Sequence, residues 1–191
     1  MTALTSERVL EIAMSNPINL ELARRLAELD IPECMLTAGC LFQAMWNQQV
    51  GRPAGWGVKD YDVIYFDQDL SWEAEDRVID QVQQACGNLN ANIEVRNQAR
   101  VHLWYQQKFG RSYPQLQSVT DGVDRYLVKA TCIGMEVATG RLYASYGLAE
   151  LEAGLLCINH LNHQPDLFLQ KALSYQKRWP WLRRVEGGDL L

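Results

Sequence analysis

The chain has 191 residues, a formal net charge of -5 and a hydrophobic fraction of 48%, enough for one good-sized core and unfavourable to a broad nucleic-acid-binding face, so nucleic acid is not expected as the main partner. No apolar run approaches the roughly 18 residues that a membrane span needs, and the opening MTALTSERVLEIA is charged early, without a secretory leader; a cytoplasmic chain with no membrane partner is expected. The five cysteines, Cys34, Cys40, Cys86, Cys132 and Cys157, are odd in number, scattered and without a C-x-x-C pair, which reads as reduced core thiols rather than a disulfide framework or a zinc knuckle.

Thr5 or Ser6 can cap a first helix from Glu7 to Met14. Asn16-Pro17 restarts the chain with a capping side chain and a proline at the first helical position, and Ile18, Leu22, Leu26 and Leu29 recur at helical spacing up to Ile31-Pro32. Cys34 to Ala38 is a short apolar strand ended by Gly39, and Cys40 to Val50 is a helix. Gly51 to Gly57 holds three glycines and a proline, a loop able to lie over a ligand. It leads into Asp60, Asp62 and the apolar run Val63 to Phe66, a buried strand. Asp69-Leu70-Ser71 caps a helix running to Cys86, with Glu73, Glu75 and Asp76 in its first turn read as solvated acids that complement the helix dipole. Ile93-Glu94-Val95 is a third strand, and Asn97 to Phe109 a helix closed by Gly110. Beyond it, Val128 to Val137 and Arg141 to Tyr146 form a hairpin, and Leu148 to Leu161 and Asp166 to Trp179 are read as helices.

Successive side chains of a strand point to opposite faces, so Asp60 and Asp62 share a face about 6.5–7 Å apart along the backbone. Two like charges that close repel unless a cation lies between them, and a hard divalent ion such as Mg²⁺ is the usual partner of one or two carboxylates and phosphate oxygens. The plainer alternative is a solvated strand end. Lys59 beside them can touch phosphate or can simply be hydrated.

The order helix, strand, helix, strand, helix, strand, helix, with Gly39 after the first strand, an Asp-x-Asp on the second and an acid on the third, resembles the nucleotidyltransferase superfamily that includes DNA polymerase beta. More closely, AGCLFQAMWNQQVGRP, GVKDYDVIYFDQDLSWEAED, EVRNQARVHLWY and RWPWL are similar to a family of uncharacterised bacterial nucleotidyltransferase-like proteins. The resemblance implies an α+β fold with an α/β-like core, a mixed sheet flanked by helices over about 16–110, and a small strand and helix extension over about 111–191, all one domain. It implies a metal-dependent transfer of a nucleotidyl group from a nucleoside triphosphate to an unknown acceptor hydroxyl. Asp60, Asp62 and Glu94 would be the catalytic acids and the ligands of Mg²⁺ or Mn²⁺, with Gly39, Cys40 and Lys59 on the nucleotide. One departure is plain: the superfamily usually has Gly-Ser after the first strand, and here the pair is Gly39-Cys40, which keeps the backbone amides and loses the hydroxyl.

Other readings use other residues. Asp67-Gln68-Asp69 imitates the strand-then-D-x-D start of haloacid-dehalogenase-like phosphatases, but Leu70 replaces the usual small residue. Cys157, His160 and His163 are spaced like metal ligands without a fourth. A third reading keeps the nucleotidyltransferase fold and its acids in a protein that only binds nucleotide or a protein partner. Glu94 itself could be no more than the ion-pair partner of Arg96 or Arg100.

Overall fold

The structure, a computed structural model, describes residues 3–185, so the end of the expected extension lies outside the described residues. Helix α1 (Ser6–Met14) is capped by Thr5, whose hydroxyl accepts from the Arg8 amide, and α2 (Pro17–Leu26) by Asn16 with Pro17 at its first position. Strand β1 (Met35–Thr37) leads directly into α3 (Gly39–Gln49). Then come β2 (Asp60–Tyr65), α4 (Trp72–Cys86), capped by Ser71, and β3 (Asn92–Asn97). A single 3-10 turn opens α5 (Val101–Phe109), which ends at Gly110 in the left-handed region. The remainder holds α6 (Val119–Val123), the hairpin β4 (Ile133–Glu136) and β5 (Leu142–Ala144), α7 (Ala149–Ala153), β6 (Leu155–Leu156), α8 (Pro165–Arg178) and β7 (Arg183–Arg184).

Five strands form one sheet in the order β3-β2-β1-β4-β5. Only β2 and β3 run parallel; β1 is antiparallel to both β2 and β4. The expected hairpin is thus built into the main sheet. The two faces of the sheet differ. Leu36, Tyr61, Val63, Tyr65, Val95 and Met135 point to the main core, packed by α1, α3 and α4. On the other face Met35 and Ile64 meet Val119, Val123 and Cys132 in a smaller cluster under α6. That cover is partial. The strand ends carrying Asp60, Asp62 and Glu94 extend beyond it into an open cavity.

One expectation needs correction. The apolar stretch after Leu148 is not one long helix: α7 stops at Gly154, which has φ +64, and a Cβ there would collide with the Trp181 ring. Only glycine meets both demands, and the released chain forms β6, parallel to β7. The glycine-rich loop contributes no residue to the cavity lining and is pinned to the helices beside it. Asn47 Nδ2 donates to the carbonyls of Ala54 and Trp56, Arg178 donates to the Gly57 carbonyl, and Trp56 meets Trp179 edge-on at 6.2 Å. The loop braces α3 against α8. The brace is completed by Trp179, whose indole N–H donates to Asn47 Oδ1 at 2.9 Å, and by the tilted and edge-on contacts among Phe42, Trp46 and Tyr175. Among the described residues no helix is long and apolar enough to cross a membrane.

Candidate active site

Register places the acids. Thr37, Asp62 and Glu94 are paired across β1, β2 and β3, and Asp60 stands opposite Asn92 one pleat away; partners in register share a face. Asp60, Asp62 and Glu94 therefore all line the same cavity, which has a volume of about 770 Å³. Asp60 is exposed and accepts from Asn92 Nδ2 at 2.8 Å. Asp62 is half-buried, and its carboxyl is pushed up to about 6, first by burial and then by the charges of Glu94 and Asp60, with Lys171 and Arg96 acting the other way. Among the described residues, however, no three His, Cys, Asp or Glu side chains converge closely enough to enclose a metal ion. The alternative partner for Glu94 is not used: Arg100 is buried and bonded to Glu75 at 2.6 Å, and no ion pair joins Glu94 to Arg96 among the described residues. Glu75, expected as a solvated acid of the helix start, is instead buried, also accepting from the Asn97 amide at 2.9 Å.

The other wall is basic. Lys59 lines the cavity beside the acids. Facing them, α8 presents Lys171, Ser174, Tyr175 and Arg178, spaced so as to lie on one face of a helix. Arg178 is fixed at the far end, donating to Gln43 Oε1 at 3.0 Å and lying 4.3 Å from the Trp179 ring centroid. Sequence reading missed Lys171 and Arg178 as site residues. The signal was the spacing within Lys171-x-x-Ser174-Tyr175-x-x-Arg178, but nothing local says that this face turns towards β2.

Gly39 lines the cavity at the start of α3, and the residue before it is strained: Ala38 has φ +62 and ψ -138, a region that side chains bearing a Cβ avoid. Gln43 folds back over Gly39, where a Cβ would meet its amide. Cys40 is fully buried and does not line the cavity; its thiol donates to the Thr37 carbonyl at 3.1 Å, and burial holds it far above the ordinary thiol range. All five cysteines are buried and free.

The competing motifs are not brought to the cavity. Asp67 and Asp69 cap successive turns, accepting from the amides of Asp69 and Ser71, both at 2.9 Å. Cys157, His160 and His163 form no metal-holding group among the described residues.

No curated protein matches the sequence. Two solved structures share the fold. One is a protein whose NMR structure reveals a CCA-adding enzyme head domain, with a TM-score of 0.75 at 19% identity over 97% of this chain and 98% of that one. The other is the Thermotoga maritima CCA-adding enzyme complexed with tRNA, with a TM-score of 0.58 at 14% identity over 97% of this chain and 44% of that one. The sequence itself matches a family described as nucleotidyltransferase over residues 24–184, and with the mixed sheet of the head domain around this cavity, the chain belongs to that nucleotidyltransferase family.

Proposed function

We propose that the protein transfers a nucleotidyl group from a nucleoside triphosphate to an acceptor hydroxyl in the cavity between β2, β3 and α8. The observation that supports this is charge of both signs on opposite walls of one pocket: Asp60, Asp62 and Glu94 on the sheet, Lys171 and Arg178 on the helix. A triphosphate needs cations on its oxygens, and the acceptor hydroxyl needs a carboxylate within reach to take its proton. Gly39 would add its backbone amide at the start of α3, where the helix dipole favours an anion.

Asp60 and Asp62, two carboxylates on one face of β2, would hold a divalent ion between them, although Glu94 does not converge with them closely enough to enclose it. Burial first, and then the charges of Glu94 and Asp60, raise Asp62, and a cation beside Asp60 and Asp62 would relieve the like-charge part, with Glu94 as a third ligand only if its side chain swings inward; when bound, Mg²⁺ or Mn²⁺ would offset the charge gathering on the phosphate oxygens. The protein's own groups then account for the rest. The acceptor oxygen forms a bond to the α-phosphorus as the bond to the bridging oxygen of the β-phosphate breaks, and pyrophosphate leaves. Glu94 takes the hydroxyl proton. Lys171 and Arg178 hold the pyrophosphate, whose charge grows as it departs.

Incubation with α-labelled triphosphates, Mg²⁺ or Mn²⁺ and a metabolite extract is expected to give labelled adduct and pyrophosphate, and Asp62→Asn to give neither. The Thermotoga maritima neighbour was solved with tRNA, so an RNA end belongs in the acceptor panel. A second reading, that the protein binds nucleotide without turning it over, is favoured by Cys40, whose buried thiol leaves no hydroxyl at the phosphate loop. Metal-dependent triphosphate binding with no adduct from any acceptor would select it.

A further inference from the structure

The C-terminal half of helix α8, from Lys171 to Arg178, lines the cavity. At the start of the helix Gln164 donates to the Tyr105 hydroxyl at 2.9 Å, Lys171 in its middle faces Asp62, and Arg178 at its end reaches Gln43 and Gly57. Register sets the order along the cavity: Gly39 follows Thr37, the partner of Asp62, on the Asp60 side, and Arg96 and Gln98 follow Glu94 on the other, so the cavity has two ends with the carboxylates between them. The Gly39–Arg178 end is cationic and polar. The other end is aromatic. There Val101, Trp104, Tyr105 and Lys108 lie along one face of α5. Tyr105 packs against Tyr113 with ring centroids 4.3 Å apart and planes tilted by 35°, and against Phe109 at 4.6 Å with planes tilted by 46°. Lys108 Nζ stands 5.5 Å from the Trp104 ring centroid.

These rings do not serve the core. Trp104, Tyr105, Phe109 and Tyr113 belong to neither hydrophobic cluster, and Phe109 remains 42% exposed. Large ring faces held at a cavity wall with a cation beside them suit one kind of guest, a flat aromatic ring carrying negative charge. Arg125 adds a second cation on this side of the cavity, steadied by its bond to the Leu161 carbonyl at 3.0 Å.

We propose that this end seats the acceptor, and that the acceptor is a small molecule with a planar aromatic ring and an anionic group. The proposal rests on the nucleotidyl-transfer reading above, which puts the triphosphate at the Gly39–Arg178 end and the reacting atoms at Asp62 and Glu94. The chain's path supports it: β3 carries Glu94, the base for the acceptor proton, and continues through Arg96 and Gln98 into the aromatic face of α5. A small molecule fits better than a nucleic acid, because the net charge is -5 and a cavity of about 770 Å³ lies within the range of small-ligand sites. In the transfer the acceptor oxygen bonds to the α-phosphorus, its proton goes to Glu94, and the electrons of the broken phosphorus–oxygen bond leave with pyrophosphate.

Calorimetric titration of the full chain with 1-naphthyl phosphate in the absence of metal tests this. One site is expected, weakened at least tenfold by Trp104→Ala and by Lys108→Gln, and held within threefold by Trp104→Phe, which retains a ring face and controls for folding. Metal-dependent triphosphate binding is measured on the same proteins and should stay within twofold. If Trp104→Ala weakens the triphosphate and leaves naphthyl phosphate unchanged, the wall holds the base of the donor and the proposal falls. It falls equally if naphthyl phosphate does not bind, or if only a single-stranded oligonucleotide engages Trp104. Naphthyl phosphate binding that depends on Trp104, in a protein that ignores metal and triphosphate, would keep this subsite and remove the transferase reading instead.

Discussion

Asp62 on β2 and Glu94 on β3 are direct partners in a parallel register, so two carboxylates of like charge are held on one face by the backbone ladder itself. The Asp62 carboxyl rests near 6 where its ordinary value is 3.8. The folded state therefore binds a proton more tightly than the unfolded one between those pH values. Stability from this group is full below about 4 and is lost as pH rises towards 6. Asp62→Asn mimics the protonated form. In denaturant titrations without metal it should be more stable than the parent by about 2–3 kcal/mol at pH 7, an advantage that fades below pH 4. Loss of stability at pH 7 would mean that Asp62 has a structural cation and is no strained acid.

Metal and triphosphate together should raise the melting temperature of the parent, since a ligand present at about 100 times its dissociation constant adds roughly 2.7 kcal/mol. Chelator should abolish the rise. An equal shift with the metal removed would detach the carboxylates from the binding site.

Lys171 is exposed and Arg178 is built into the brace, so the two should separate in a mutant pair. Lys171→Ala is expected to weaken triphosphate binding about tenfold, the worth of one charge-assisted hydrogen bond, with stability unchanged within ~0.5 kcal/mol. Arg178→Ala should cost affinity and stability together. Unfolding midpoints and binding isotherms measured side by side decide the matter.

Glu75 and Arg100 form a buried pair at 2.6 Å, with the guanidinium also 4.1 Å from the Trp72 ring centroid. Removing one partner, as in Glu75→Gln, leaves a buried charge uncompensated and should destabilise by about 3–5 kcal/mol. Replacing both with apolar residues should recover much of that loss. A single mutant within 1 kcal/mol of the parent would show the pair to be dispensable.

Ala38 holds a backbone geometry that suits glycine. Ala38→Gly relieves it and should add about 1 kcal/mol to stability, less than the strain because glycine gains freedom in the unfolded chain. If the strained turn positions the Gly39 amide for phosphate, the same change should weaken triphosphate binding severalfold.

Much of this architecture can be read from local chemistry. Asn16-Pro17, Ser71 and Gly110 are caps whose physics is complete within a few residues, and they mark real helix ends. The alternation of Tyr61, Val63 and Tyr65 against Asp60 and Asp62 sets the faces of β2 without help from elsewhere. What local chemistry cannot supply is partnership over distance. Nothing near Glu75 announces Arg100, so an acid in a first helical turn passes for a solvated one. The stop at Gly154 depends on Trp181, and the anchoring of the glycine-rich loop depends on Asn47 and Trp179. The basic face of α8 is legible as a face; only the packing of Tyr175 and Trp179 on α3 turns it towards the acids.

That packing also orders events in time. The acids of the cavity lie on β2 and β3, while its opposing cations lie on α8, so a chain emerging from the ribosome shows its carboxylates long before Lys171 and Arg178 exist to balance them. No nascent chain in which α8 is still missing has both walls of the pocket. Nucleotide therefore cannot serve as an early folding ligand for this protein; it can select only a chain in which α8 has folded onto the sheet, which a ribosome-stalled series that exposes the chain up to points before and after Trp179 would reveal as triphosphate protection against protease appearing in a single step.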